Sequence, residues 1–402
     1  MWKNKNVWIL LVGELVAGLG LWMGIIGNLE FMQKYVPSDF LKSLILFTGL
    51  LAGVLVGPLA GRLIDSYSKK KILIYSGIGR MLSVSFMFFA LHFESITFMV
   101  LFMISIQLSA AFYFPALQAV IPLIVKDEEL VQMNGVHMNV ATLSRVAGTA
   151  LAGVMLVVLD IKFLYIGSMV AYAAILITTF MLHFEEDQET LNNKGKSGSF
   201  KDVIPVIKGV PIVISALVLT IIPMLFIGGF NLMVINISEI QDSISVKGLL
   251  YTVEGVCFMI GAFFVKRITH LYPPVTLMFA FSFVISIAHL SLYFSNYFSM
   301  SLISFGVFGI GVGCFFPIAA TIFQTKIPKE YHGRFFSFRN MIDRVLFQVV
   351  LLGTGLFLDT IGLQFMVVIF GALSLSAVLF YGWKHIRATE SVPEGAQITA
   401  GK

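Results

Sequence analysis

Eleven residues, Gly61 to Lys71 (GRLIDSYSKKK), interrupt an otherwise apolar sequence that resumes at Ile72. They carry five formal charges: Arg62, Asp65, Lys69, Lys70 and Lys71. So short a polar stretch between two bilayer-length apolar runs can only be a tight turn between membrane helices. Short loops that retain Lys and Arg face the cytoplasm, so this turn should lie there. Gly57 and Gly61, one helical turn apart, would let another backbone approach closely. Asp65 is placed to cap the next helix or to pair with a neighbouring arginine.

The whole chain obeys the same constraint. Hydrophobic residues make up 58% of its 402 positions and charged residues 12%, about half the charged share of a soluble domain. That excludes an ordinary soluble fold and leaves room for about twelve spans of ~20 residues. A net charge of +5 fits cytoplasmic loops facing anionic lipid. No basic patch is interleaved with exposed aromatics, so no nucleic-acid partner is expected. Cys257 and Cys314 lie in apolar runs without metal or redox spacing. The first apolar run, from Val7, is too long for a signal h-region and lacks a small-residue cleavage site, so it reads as a retained span.

Spans are expected at about 7–31, 41–64, 72–92, 95–125, 134–159 and 163–184, and again at about 211–237, 248–265, 274–294, 298–323, 333–358 and 362–383. The expected organisation is all-α: six-helix halves at 1–184 and 211–387, a linker at 185–210 and a disordered tail at 388–402. Within the linker, Ser199 and Asp202 could open a short amphipathic helix with Val203, Ile204 and Ile207 on its apolar side. Of 27 Lys and Arg, nineteen fall on the side shared by the termini, the 61–71 turn and the linker. Four (Lys34, Lys42, Lys162, Lys247) fall on the other side and four (Arg80, Arg145, Arg339, Arg344) within helices. Both termini should therefore be cytoplasmic.

The second half echoes the first. Phe114-Pro115 matches Phe316-Pro317. Arg145-Val146 precedes Asp160 as Arg344-Val345 precedes Asp359, with 15 residues from Arg to Asp in both. Gly57 and Arg62 match Gly261 and Lys266, while the Asp65 position becomes Thr269. Parallel halves with sites near the midplane are one of the transporter layouts.

Gly61, Leu63, Asp65, Lys70 and Leu73, with Lys69 in an arginine place, resemble the G-x-L-x-D-x-x-G-R-K-x-x-L loop between helices 2 and 3 of the major facilitator superfamily. Ser68 replaces the second glycine. Phe114 to Pro122 (FPALQAVIP), with Glu129-Leu130, Asn134-Gly135 and Gly333-Arg334, resembles its macrolide-efflux and siderophore-export branch. Gly148 to Gly153 (GTALAG) is similar to the G-P-x-x-G-G signature of exporters, with Thr149 and Ala152 departing from it; small-residue helix packing explains it equally well. Ile104, three before Gln107, stands where proton-coupled members carry an arginine.

Charges inside spans are expensive and mark functional candidates. Arg145 and Arg344 lie roughly 15 Å deep. They either bind a polar substrate group or form ion pairs with Asp65 or Asp343 that brace the cytoplasmic gate. Arg339 and Asp343, one turn apart, should pair locally. Arg80 is a further cavity or brace candidate. Glu14, about 13 Å along its helix from Lys5, and Glu254 are the deep acids without a neighbouring cation in sequence, and both are candidates for exchanging protons. Glu30 and Asp39 should be solvated near the outer surface, and His137 should be a polar packing residue. The gate would comprise Gly61, Asp65, Lys69, Lys70 and Lys71.

No nucleotide loop, metal cluster or nucleophile triad is visible, so no cofactor or enzyme activity is expected and a gradient must supply energy. The resemblance implies a monomeric plasma-membrane transporter in which 1–184 rocks against 211–383. It would export an amphipathic drug, antibiotic or siderophore-like compound by proton antiport. An importer or facilitator of a small metabolite, or a non-transporting sensor or scaffold, are the alternatives.

Overall fold

Apolar runs in lipid have no water to satisfy their peptide groups, so each must close its own hydrogen bonds as a helix. The computed structural model describes residues 1–126, 129–184, 203–328 and 331–390, and among them it contains helices and no strand. The first six helices are α1 Lys5–Tyr35, α2 Asp39–Ser66, α3 Lys69–Phe93, α4 Ile96–Ile124, α5 Leu130–Val158 and α6 Lys162–Met181. There follow a six-residue helix, α7 Val203–Lys208, then α8 Pro211–Leu219, α9 Ile221–Ile240, α10 Ser245–Thr269, α11 Pro274–Ser291, α12 Phe298–Lys326 and α13 His332–Glu390.

Among the described residues eleven segments are long and apolar enough to cross a membrane, α8 and α9 together forming one of them. The last, Phe338–Arg387, is divided at Gly362 (φ 77°, ψ 171°), a conformation that glycine reaches without a Cβ penalty. Its two parts correspond to the eleventh and twelfth expected spans. The boundaries differ from expectation mainly at the ends. α1 continues four residues past 31 to Tyr35, and α13 is helical through Glu390, where a disordered tail from 388 was expected. In the linker, Ser199 and Asp202 lie outside the described residues; in α7, Ile207 is buried and Ile204 exposed. Ser68 caps α3, its hydroxyl accepting from the Lys71 amide at 3.4 Å.

The described chain divides into two compact units that do not coincide with the sequence halves. The first comprises Met1–Lys196, Asn231–Gly255 and Leu351–Thr360. In it α1 packs on α5 and α6, α4 packs on α2 and α3, and α3 packs on α6. Val7, Leu10, Val120 and Ile124 form an apolar core at the end nearest Met1. At the opposite end ion pairs and caps replace apolar packing. The Lys247 ammonium, fully buried, donates to Glu30 at 2.7 Å. Lys42 donates to Asp39 at 2.9 Å, and Asn236 donates to the other Asp39 oxygen at 3.0 Å. The Asp359 carboxylate accepts from the Asp39 and Phe40 amides at 2.7 and 2.9 Å and from the Ser38 hydroxyl at 2.5 Å. These oxygens satisfy the otherwise open amides at the start of α2. Glu30 and Asp39 are therefore paired rather than solvated, because lysines from α10 and α2 reach them.

The second unit comprises Ser197–Phe230, Val256–Val350 and Ile361–Lys402. Its centre is aromatic: Phe226 stacks on Phe308 at 3.6 Å and meets Phe305 edge-on at 5.3 Å. A Cβ on Gly261 would sit 2.5 Å from the Ile310 carbonyl, so α10 and α12 cross with backbones touching. Cys314 donates to the Gly261 carbonyl at that crossing. Gly57 and Gly61 serve no such approach among the described residues, where no atom of another element lies within 4 Å of a Cβ built on either.

Candidate functional site

A carboxylate in a span must be solvated by its neighbours or carry a proton. Glu14, about a third of the way along α1, has both kinds of neighbour. The Tyr113 hydroxyl of α4 donates to one carboxylate oxygen at 2.6 Å. The His137 Nε2 of α5 lies 3.7 Å from the other oxygen and has no hydrogen bond of its own. Tyr113 is buried, and Glu14 is 12% exposed at its side chain. His137 is thus an ionisable partner facing Glu14, where sequence reading gave only a packing residue.

Arg80 of α3 stands behind this group. Its guanidinium lies 4.6 Å from the Tyr113 ring centre, 4.5 Å from that of Tyr172 and 5.4 Å from that of Phe114. Buried at 2% exposure, it is held by three aromatic faces and makes no ion pair among the described residues. A ring face offers a cation part of the stabilisation that water would give, which makes Arg80 a fixed positive charge behind the Tyr113 hydroxyl.

The second cluster forms where α5 meets the first turns of α10. Gly153 and Gly248 make the crossing possible: a Cβ on Gly248 would lie 2.7 Å from both the Gly153 Cα and the Thr149 carbonyl. Gly148 packs on α1 in the same way, its Cβ position 2.9 Å from the Trp22 Cβ. The glycines of the exporter-like stretch thus serve close helix packing. The crossing brings the Arg145 guanidinium to Glu254 at 2.6 Å. Glu254 is 4% exposed. Trp22 lies 5.9 Å from the guanidinium and also 5.9 Å from the Tyr251 ring, and the Tyr251 hydroxyl donates to Asn231. Thr149 and Thr252 place their hydroxyls 3.4 Å apart. The cluster combines flat aromatic surface, hydroxyls and an ion pair, which are the groups an amphipathic solute with a polar function would need.

These positions correct several expectations. Arg145 pairs with Glu254, a partner the sequence reading did not name, because α10 delivers an acid at its depth. Glu14 and Glu254, chosen for lacking a neighbouring cation in sequence, each have a basic side chain nearby in space. Arg344 is exposed and makes no ion pair among the described residues, so the two arginines form no symmetric brace. The Arg339 Nε lies 3.5 Å from Asp343, one turn along α13, with its guanidinium 4.7 Å from the Phe323 ring centre.

In the 61–71 turn, Lys70 donates to the Phe180 and Leu182 carbonyls at 3.1 and 2.6 Å, tying the turn to the end of α6. Lys69 is half-buried, while Gly61 and Lys71 are exposed. The side chain of Asp65 lies outside the described residues. Sequence reading missed Tyr113, Trp22, Tyr251 and Asn231; a polar or amphipathic side chain within an apolar span was the available signal for each.

Comparison with known proteins agrees with this architecture. The family model of the Major Facilitator Superfamily matches residues 10–238 and 216–401. Macrolide efflux protein A of Streptococcus pyogenes is 24% identical over 398 residues, covering 92% of this chain and 94% of that protein. A protein of the same name from Enterococcus faecalis is 24% identical over 318 residues, covering 73% and 94%. Among solved structures, a variant of the nucleoside transporter NupG has a TM-score of 0.75 at 14% identity, covering 94% of this chain and 99% of that one. A bacterial homologue of the iron transporter ferroportin has a TM-score of 0.72 at 14% identity, covering 94% and 98%. Helical architecture, apolar spans and a family match over nearly the whole length lead to one assignment: the chain belongs to the Major Facilitator Superfamily of multi-pass membrane transporters.

Proposed function

We propose that this transporter exports an amphipathic organic compound, of the drug, antibiotic or siderophore-like class, in exchange for protons. It would act as a monomer in the cell membrane with both termini in the cytoplasm. The observation that carries the reading is Glu14, a carboxylate within α1 whose charge is offset by the Tyr113 hydroxyl and by His137 across 3.7 Å. In this reading Glu14 is the group that takes up and releases the coupled proton. A proton entering from outside would neutralise Glu14, and its loss toward the cytoplasm would accompany loading of the next substrate. Glu254 has a different role in this scheme. Its proton competes with Arg145, so protonation frees the guanidinium for a polar group of the substrate, with Trp22 and Tyr251 supplying apolar contact. Similarity to macrolide efflux proteins supports the direction and the solute class.

The test is transport in reconstituted vesicles with an imposed pH gradient and radiolabelled erythromycin as the probe macrolide. Wild-type protein should accumulate the probe against its gradient. Glu14→Gln should lose that accumulation and keep downhill exchange. Accumulation retained by Glu14→Gln would remove Glu14 from the coupling. Wild-type accumulation driven equally well without the pH gradient would remove proton antiport.

A further inference from the structure

A crevice of about 410 Å³ opens between α2, α3 and α4, at the end of the first unit that carries the 61–71 turn. Its walls are apolar, built from Leu63, Leu108 and Phe112 among others. Its polar character comes from Lys71, Tyr67 and Tyr75; Ser76 and Ser109 also line it, their hydroxyls donating to carbonyls of their own helices. Tyr67 is 61% exposed and Tyr75 71% exposed, the amphipathic rings that settle at the level of lipid headgroups. The two lysines in this stretch differ. The Lys70 ammonium is consumed by two carbonyls of the α6 end. The Lys71 ammonium, next in sequence, makes no hydrogen bond or ion pair among the described residues, yet it lines the crevice.

An uncommitted cation over an apolar slot matches a ligand with an anionic head and a hydrocarbon tail. Free phosphate would use the cation and leave the walls idle. A zwitterionic lipid brings its own ammonium, which offsets the attraction. An anionic phospholipid satisfies both halves, its phosphate meeting Lys71 as a charge-assisted hydrogen bond and one acyl chain filling the slot. We propose that this crevice is a binding site for an anionic phospholipid, with the phosphate on Lys71 and an acyl chain against Leu63, Leu108 and Phe112. Neither Glu14 nor Glu254 lines the crevice, and the proposal does not depend on the transported solute. Lipid bound there would link the 61–71 turn to the composition of the membrane.

Native mass spectrometry of the full-length protein tests it, with delipidated protein titrated with phosphatidylglycerol or phosphatidylcholine. Wild-type protein should retain phosphatidylglycerol in preference to phosphatidylcholine. Lys71→Gln should weaken phosphatidylglycerol retention about fivefold, the value of one lysine near an anionic surface, and leave phosphatidylcholine unchanged. Lys126→Gln, which removes another exposed lysine, should leave both unchanged. Leu108→Trp should block the slot and lower phosphatidylglycerol retention while Lys71 is still present; a monodisperse gel-filtration profile verifies its fold. The proposal fails if wild-type protein shows no preference, if Lys126→Gln matches Lys71→Gln, or if Leu108→Trp binds like wild type. Displacement by millimolar inorganic phosphate would mark a head-only anion site, and displacement by erythromycin a substrate site; either also overturns it.

Discussion

Arg145 and Arg344 occupy matching places in the two sequence halves, each followed by valine and each 15 residues before an aspartate. Their surroundings do not match. Arg145 reaches a buried acid on α10, while among the described residues the Asp160 carboxylate accepts from the local Lys162 amide at 3.0 Å. Arg344 is exposed and makes no ion pair among the described residues, while its Asp359 crosses to the first turn of α2. One copy thus uses its arginine for a long-range bond and the other uses its aspartate. The repeat register explains why the arginines differ. Aligning Gly57 with Gly261 sets Leu50 against Glu254 and Leu44 against Gly248; aligning the arginines sets Leu352 against Gly153. The second copy therefore lacks both the acid and the glycine pair that build the first site. A duplicated fold preserves helix length and order, whereas the chemistry depends on a few positions where the copies have diverged.

The sharpest way to break this comparison is to remove Arg145. Arg145→Leu leaves the Glu254 carboxylate buried without its partner, a change that costs about 3–5 kcal/mol when it breaks a buried pair. Unfolding by dodecyl sulfate in mixed micelles should register the loss. The double variant Arg145→Leu/Glu254→Leu should recover most of it, because apolar replacements of a buried pair are near neutral. It should nevertheless remain inactive in vesicle transport. A double variant as unstable as the single one would mean that the pair is not the source of the effect.

Smaller effects follow from the glycines. Gly248→Val puts a Cβ 2.7 Å from the Gly153 Cα and the Thr149 carbonyl. Both are backbone atoms that cannot step aside, so overpacking of about 1–3 kcal/mol is expected. At Gly353 of α13 no atom lies within 4 Å of an added Cβ. Gly353→Ala should therefore stabilise by about 0.5–1 kcal/mol through helix propensity. Opposite signs in the same unfolding assay would confirm that only the first-copy crossing is tight. Next in size is Asp359→Asn, which keeps one acceptor oxygen and loses a charge at two helix amides, for about 1 kcal/mol. Asp160→Asn retains its local cap and should show no measurable change in that assay.

Much of the fold was legible because its cause is local. Apolar runs of bilayer length, separated by charged turns, determine helices. Arg339 with Asp343 was legible for the same reason, four residues being one helical turn. The candidate site was legible only as a set of expensive residues. Glu14 and Tyr113 are 99 residues apart, and Arg145 and Glu254 are 109 apart. No periodicity within one helix records which face of another helix it will meet. Glu30 and Asp39 were misread on that account: their partners Lys247 and Lys42 also sit near helix ends, where solvation is the ordinary expectation. The glycines were visible, but whether they serve close packing depends on a neighbour. At Gly248 the neighbour is Gly153, and at Gly57 there is none within 4 Å.

The smallest expected effect is the most informative about the second copy. Arg344→Leu removes an exposed cation and leaves Asp343 with Arg339 at 3.5 Å, so no buried charge loses a partner. Its unfolding free energy should stay within about 0.5 kcal/mol of wild type, the usual range for a surface change. A loss near that of Arg145→Leu would show that Arg344 has a structural partner, and the asymmetry between the copies would disappear. If stability is unchanged, transport kinetics address the remaining proposal for this residue, that it contacts a polar group of the solute. Loss of a contact made equally in ground and transition states raises KM and spares kcat. Unchanged KM and kcat for erythromycin would leave Arg344 without a part in its transport and confine the ionic chemistry of recognition to the crossing of α5 and α10.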